Sequence, residues 1–116
     1  MAARERLICA SAALEEGGRG VRFELSHRGR RMPAFGVRHR GRVYAYLNQC
    51  AHAPSELDWP AGEFFEHSKV YLVCSRHGAL YRPESGLCVA GPCVGQSLIK
   101  LPVSERGGQV FVTETA

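Results

Sequence analysis

The sequence predicts an all-β domain of small antiparallel sheets, and three observations carry that reading. Gly and Pro punctuate the chain every few residues, with 13 and 6 of them in 116. No stretch keeps a long helical period, and several short segments alternate apolar with polar side chains. At this length one hydrophobic core serves the whole chain, so residues 1–116 are expected to form a single domain.

Residues 7–10 (Leu-Ile-Cys-Ala) are a candidate first strand, and 12–16 a helical turn closed by Gly17-Gly18. Residues 21–26 place Val21, Phe23 and Leu25 on one face and Arg22 and Glu24 on the other. A tight turn over 27–31 contains Gly29. Strands 33–39 and 42–48 then read as a hairpin about Arg40-Gly41. Val43, Ala45 and Leu47 share one face of its second strand, and Tyr44 and Tyr46 the other. From Gln49 to Cys93 the texture changes: Cys, His, Pro and Gly are frequent and clean alternation is lost. Within this stretch 70–73 is apolar enough for a buried strand leading into Cys74, and 79–82 can pair with 87–90 across Pro83-Glu84-Ser85-Gly86. Regular strands return at 97–103 and 109–113, joined by 104–108. The expected organisation is a β scaffold made from both ends of the chain, with a smaller metal-binding unit, about 49–93, inserted between them.

Composition narrows the function. No apolar run approaches the roughly 18 residues a membrane span requires. Residues 1–8 lack the apolar core of a signal peptide, so a cytoplasmic address is expected. Five Cys, an odd number, suit reduced thiols and a metal centre better than a disulfide framework. The net charge is +4, and Arg19, Arg22, Arg28, Arg30, Arg31, Arg38, Arg40 and Arg42 fall in one stretch opposed only by Glu24. Aromatic residues do not interleave with them as nucleic-acid stacking would need, so these Arg read as solvated strand faces and turn tips. A segment of opposite sign holds Glu56, Asp58, Glu63 and Glu66. A sharper reading makes the two segments a docking surface that steers a partner.

Two short pairs carry the chemistry: Cys50-Ala51-His52 and Cys74-Ser75-Arg76-His77, the latter followed by Gly78. In extended chain residues i and i+2 point to the same side, so Cys50 and His52 can enter one site from one segment. Cys-x-x-His converges two donors around a turn, and Gly78 lets the backbone bend closely there. The 21 residues between His52 and Cys74 are enough to leave and return. One thiolate and one imidazole from each loop suit a [2Fe–2S] centre in which one iron takes two thiolates and the other two imidazoles. Closing the loop on a bound cluster restrains the unfolded chain, so metal binding and folding are expected to be coupled. Structural zinc on the same four residues is an alternative, although zinc pairs usually keep Cys with Cys and His with His. Buried, unligated Cys and His is another. Cys9 reads as a small core residue; Cys88 and Cys93, about a Gly-Pro turn, read as core, free thiols or a disulfide. His27, His39 and His67 read as structural, and Trp59 and Phe64-Phe65 as cover for the cluster-side core.

Taken together these residues resemble the Rieske ferredoxins. The resemblance runs from the two ligand pairs through Gly78-Ala79, into Tyr81-Arg82-Pro83-Glu84-Ser85-Gly86, then Gly91-Pro92 and the strand from Leu98 to Val103, covering roughly 5–113. It implies three small antiparallel sheets with the cluster at one tip. Cys50 and Cys74 would hold the inner iron, and His52 and His77, through Nδ1, the outer one. Gly78 and Tyr81 would stand just behind these ligands, Tyr81 offering a hydroxyl. Respiratory Rieske proteins link their ligand loops by a disulfide; the matching positions here are Ser55 and Arg76, so no bridge is expected. Ala79 replaces a Ser that donates to the cluster in those proteins. Losing that donor implies a reduction potential toward the low end of the Rieske range, about −150 mV. Arg76, where many ferredoxins carry Trp, would push the potential back up.

The function implied is single-electron transfer from a flavin-dependent reductase to a terminal oxygenase, by a monomeric carrier that docks on each transiently. Nothing in the chain matches G-x-G-x-x-G, and a separate mononuclear-iron site is lacking, so no turnover is expected from this chain alone. The alternatives are a small subunit of a larger reductase of the nitrite reductase type and a zinc-stabilised binding module.

Overall fold

Two-residue turns with left-handed backbone decide where the long strands end. The computed structural model describes residues 3–51, 55–58 and 61–115. In it Arg28-Gly29, Arg40-Gly41 and Gly107-Gly108 all have positive φ, between 52° and 79°. That is the type I′ geometry whose twist matches paired strands. Each turn closes a hairpin: His27 opposite Arg30, His39 opposite Arg42, and Arg106 opposite Gln109. The Glu16 carboxylate accepts hydrogen bonds from the exposed N–H groups of Arg40 and Gly41. Those two donors hold its carboxyl below the usual range.

The described residues form ten strands: β1 (Ala3–Ala10), β2 (Val21–His27), β3 (Arg30–His39), β4 (Arg42–Leu47), β5 (Leu72–Val73), β6 (Leu80–Tyr81), β7 (Cys88–Ala90), β8 (Lys100–Leu101), β9 (Val103–Arg106) and β10 (Gln109–Thr115). They make three antiparallel sheets, ordered β1-β10-β9, β2-β3-β4-β8 and β5-β6-β7. In the first, the outermost strands of the chain pair with each other, Ala3 opposite Thr115. The buried Glu114 carboxylate joins this sheet to the second, accepting from Arg4 Nε and from the backbone N–H of Ser26.

The four-stranded sheet is buried on both sides. Leu25, Ala34, Ala45 and Leu47 pack with Leu101 and Val112 toward the first sheet. Phe35, Val37 and Tyr46 face the other way, into a core shared with Leu57, Phe64, Leu72 and Tyr81. The alternation along β4 is therefore as the sequence suggests, and its Tyr46 face enters a second core. Phe64 stacks on Phe35 with centroids 4.0 Å apart. Phe64 thus does cover the cluster-side core; Trp59 lies outside the described residues.

Three expected elements change. The turn after β1 is a single 3-10 turn over Ser11–Ala13, rather than 12–16. The expected strand 97–103 is interrupted: Lys100–Leu101 pairs with β4, and Val103 opens β9 in a different sheet. Pro102 sits at the switch, where its missing N–H ends one ladder, and its carbonyl accepts from Thr113 N. Residues 104–106, expected within a connection, continue from Val103 as an edge strand. Its polar sequence is what an edge exposes: Ser104 and Arg106 bond Glu5, and the Arg106 guanidinium lies 4.0 Å over the Phe111 ring.

The oppositely charged segments meet in part, through Arg22. Arg22 bridges Glu56 at 2.6 Å and Asp58 at 3.0 Å, and Arg19 donates to the Ala61 carbonyl. Arg38 binds Glu105 and the carbonyls of Ser11 and Leu14. Glu66 turns back on its own loop, accepting from Ser68, Val70 and Tyr71. Several charges read as a steering surface are thus spent on internal contacts.

Two outcomes are expected. Phe64→Ala, which empties a fully buried aromatic site, should cost about 3–5 kcal/mol in chemical denaturation. The Ser68 hydroxyl, with the backbone N–H groups beside it, holds the Glu66 carboxyl down at about 2, from an ordinary 4.5. A depressed carboxylate stabilises the fold above its unfolded pKa and loses that contribution as pH falls through its folded value. Glu66→Gln should therefore be less stable than the parent at neutral pH, by under about 1 kcal/mol because the group is solvated. The difference should shrink as pH falls from about 4.5 and vanish below about 2.

Candidate metal centre

The first candidate loop leaves the end of β4. Asn48, directly after the strand, is 2% exposed, and its side chain braces the loop from inside. Its Oδ1 accepts from Leu57 N and its Nδ2 donates to Asp58 Oδ1, both at 2.9 Å. Asp58 Oδ2 in turn accepts from Gly62 N at 2.7 Å. Within the loop Cys50 N donates to the Ser55 carbonyl. The second loop leaves the end of β5 and is a tight turn: Gly78 N donates to the Cys74 carbonyl at 2.7 Å, and Cys74 N to the Ala79 carbonyl at 2.9 Å. Gly78 supplies the positive φ, +72°, that this turn requires. A hydrogen bond from Ser75 N to the Leu57 carbonyl fastens one loop to the other.

This scaffold gathers three of the four expected donors. One ligand atom each from Cys50, Cys74 and His77 lies within 4.8 Å of the other two. The sulfurs are inside, with Cys74 fully buried and Cys50 3% exposed, whereas His77 is half-buried at the rim. His77 presents Nδ1, the atom the resemblance implies, 3.5 Å from Cys74 Sγ. His52 lies outside the described residues. Burial pushes the Cys74 thiol up, and the adjoining Cys50 adds to the shift.

Tyr81, on β6, stands behind the sulfurs. Its hydroxyl is 3.2 Å from Cys50 Sγ and 3.3 Å from Cys93 Sγ, and accepts from Ala51 N at 3.1 Å. Burial pushes this hydroxyl far above the ordinary tyrosine range, so it stays protonated. Ala79 is fully buried and offers no hydroxyl. Ser55 and Arg76, the positions matching the respiratory disulfide, line one cleft of about 410 Å³ with Glu56, Leu57, Asp58 and Ser75.

The remaining candidates separate clearly. His39 is buried, stacked on Phe65 and 3.7 Å from a Glu84 oxygen, and is not among the gathered donors. Cys9 is only half-buried, next to a register shift in β1. Cys88 and Cys93 are buried with their sulfurs 2.9 Å apart. Two residues that build the site escaped the sequence reading. Asn48 carried a faint signal, a polar side chain directly after an apolar strand. Asp58 sits in sequence among acidic neighbours that suggest a docking surface, yet its carboxylate is an internal brace.

Asp58→Ala would leave the Asn48 amide and the Gly62 N–H without their acceptor and take from Arg22 one of its two carboxylate partners. It should cost about 2–4 kcal/mol in a denaturation curve. Gly78→Ala meets only the unfavourable φ, since its Cβ would point into open space, and should cost about 1 kcal/mol. Gly91→Ala combines φ +98° with a Cβ 2.8 Å from the Ala79 Cα, and should cost clearly more in the same assay.

The fold matches solved structures at low identity. One match, described as the reduced complex between oxygenase and ferredoxin in carbazole 1,9a-dioxygenase, has TM-score 0.73 and 23% identity. It covers 94% of this chain but 28% of that one, so the chain spans little more than a quarter of that protein's length. Another is the ferredoxin of carbazole 1,9a-dioxygenase from Nocardioides aromaticivorans IC177. It has TM-score 0.72 and 22% identity, and covers 96% of this chain and 98% of that one. Comparison of the sequence with curated proteins gives no match. The family model described as the Rieske [2Fe-2S] domain matches residues 6–111. With nearly the whole chain inside that match and a Cys/His donor set gathered where its cofactor would sit, this chain belongs to the Rieske [2Fe–2S] domain family, whose members carry one [2Fe–2S] cluster.

Proposed function

We propose that the chain carries single electrons from a flavin-dependent reductase to a terminal oxygenase. The observation that carries this reading is the convergence of Cys50, Cys74 and His77 at the ends of two loops, sulfur inward and imidazole at the rim. That donor set fits the group: two adjoining buried thiols are costly as thiolates on their own, and iron supplies the compensating charge. Cys50 and Cys74 would hold one iron, and His77 with His52 the other. The bound cluster supplies a one-electron couple. The chain's own residues do the rest. The buried core around Phe64, Leu72 and Tyr81 keeps water from the sulfurs, while the half-buried His77 ring offers the short path to a docked partner. Likeness to structures of an oxygenase with its ferredoxin supports the choice of partner.

The apolar cluster running from Phe35 and Tyr46 to Cys74 and Tyr81 supports reading residues 1–116 as one unit, in which about 49–93 bind the cluster. No helix among the described residues is long and apolar enough to cross a membrane. We read the carrier as a monomer acting in the cytoplasm.

The test begins with iron and acid-labile sulfide on the purified protein, expected near two of each per chain. Electron paramagnetic resonance after dithionite reduction should show the signal of mixed Cys/His ligation. The reduced protein should then be reoxidised by an oxygenase component. A colourless protein holding one zinc overturns the reading. Cys50→Ser and Cys74→Ser should each lose most of the iron. With Ala79 giving no hydroxyl, the potential should fall toward the low end of the Rieske range, about −150 mV. Tyr81→Phe should lower it further while retaining the cluster, because hydrogen bonds to sulfur stabilise the more negative, reduced form.

A further inference from the structure

Two thiols outside the ligand set stand in contact. Cys88, on β7, lies opposite Tyr81 in the third sheet, and Cys93 comes after a turn through Gly91 and Pro92. Backbone hydrogen bonds pin the base of this loop: Cys88 N to the Gln96 carbonyl, Gly95 N to the Cys88 carbonyl, and Gln96 N to the Cys93 carbonyl. The two sulfurs are 2.9 Å apart across that base. A disulfide bond is about 2.05 Å, so closure asks for less than about 1 Å of movement. Neither thiol belongs to the gathered donor set.

The pair also touches the site. Cys88 Sγ donates to the Ala90 carbonyl, Cys93 Sγ donates to Cys88 Sγ, and the Tyr81 hydroxyl lies between Cys93 Sγ and Cys50 Sγ. Ala51 N–H already occupies an acceptor position on that oxygen. Tyr81 has one proton and two sulfurs to offer it to.

We propose that Cys88 and Cys93 form a reversible disulfide that governs how fully Tyr81 hydrogen-bonds to Cys50. As dithiols, Cys93 competes with Cys50 for the Tyr81 proton. Oxidation removes both S–H hydrogens and leaves a divalent, poorly accepting sulfur at Cys93, so the Tyr81 proton turns to Cys50 and the cluster potential rises. This second step rests on Cys50 being a cluster ligand, as read above; the disulfide itself does not.

The oxidant class is a peroxide. Cys93 sulfur attacks one oxygen of hydrogen peroxide, the O–O bond breaks, and Cys93 sulfenic acid and water result. Cys88 sulfur then attacks the Cys93 sulfur, the S–O bond breaks, and a second water leaves. Two thiols and one peroxide thus give one disulfide and two waters. A dithiol such as dithiothreitol reverses it by exchange, supplying the two electrons that reduce the disulfide. Both thiols are 2% exposed, so the reaction requires the 91–95 loop to open, at the exposed Val94 beside Cys93. Burial pushes the Cys88 thiol up to about 11, which slows it further.

The test treats the holoprotein with stoichiometric hydrogen peroxide or with dithiothreitol, unfolds it, alkylates the thiols and maps the peptides. The expected result is a Cys88–Cys93 disulfide in the peroxide sample, absent after dithiothreitol, with cluster absorbance retained and the potential shifted upward in the oxidised form. Cys88→Ser and Cys93→Ala should each abolish both the disulfide and the shift, and Tyr81→Phe should keep the disulfide but lose the shift. Alkylation of Cys88 and Cys93 in the peroxide sample overturns the proposal. A disulfide that leaves the potential unmoved overturns the tuning by Tyr81. Peptide mapping reads the disulfide with or without iron, so failure of the electron-carrier reading is seen separately.

Discussion

Two thiols held side by side away from water are the constraint on which the rest of this molecule depends. Each sulfur must be ionised to serve as a ligand, yet burial opposes ionisation. The protein therefore builds a site that is comfortable only with a cation in it. It reaches the site with two separate loops, and neither is held by its own side chains alone. The first is braced from within by Asn48 and Asp58, the second by its backbone turn, and one peptide hydrogen bond from Ser75 to Leu57 couples them. The four-stranded sheet serves this end by being packed on both faces: one face anchors the terminal strands, the other carries the aromatic floor beneath the sulfurs.

Much of this was legible in the sequence because the deciding signals are local. Turns such as Arg40-Gly41 declare themselves through backbone chemistry, and the alternation in 42–47 shows which side chains share a face. The ligand pairs are also local, two or three residues apart. The features that stayed hidden depend on tertiary neighbours. The edge strand β9 has no apolar stripe to announce it, because its partners are Glu5 and the Phe111 ring rather than a core. Pro102 lies inside the strand expected over 97–103, and only the sheet order shows that the chain breaks and changes layers there. The brace between Asn48 and Asp58 spans ten residues of irregular chain, a separation no periodicity reports.

Charge illustrates the same limit. A row of Arg and a row of acids, read along the chain, suggest opposing surfaces presented to a partner. Folding brings Arg22 onto Glu56 and Asp58 instead, so part of that contrast disappears into the protein's own stability. What stays near the surface at the ligand loops is the half-buried His77 imidazole, the exposed Arg76, and Ile99, which shares a cleft with Cys50 and Ala51.

The pairing of Ala3 with Thr115 has an architectural consequence. Because β1 and β10 are adjacent strands of one sheet, residues 3 and 115 sit a strand spacing apart, about 5 Å. A host chain could open at a surface loop and accept the whole module there without stretching, or new ends could be cut at a hairpin and the old ones joined. The same adjacency gives fused partners or labels a common exit, and a linker placed there would load both terminal strands together.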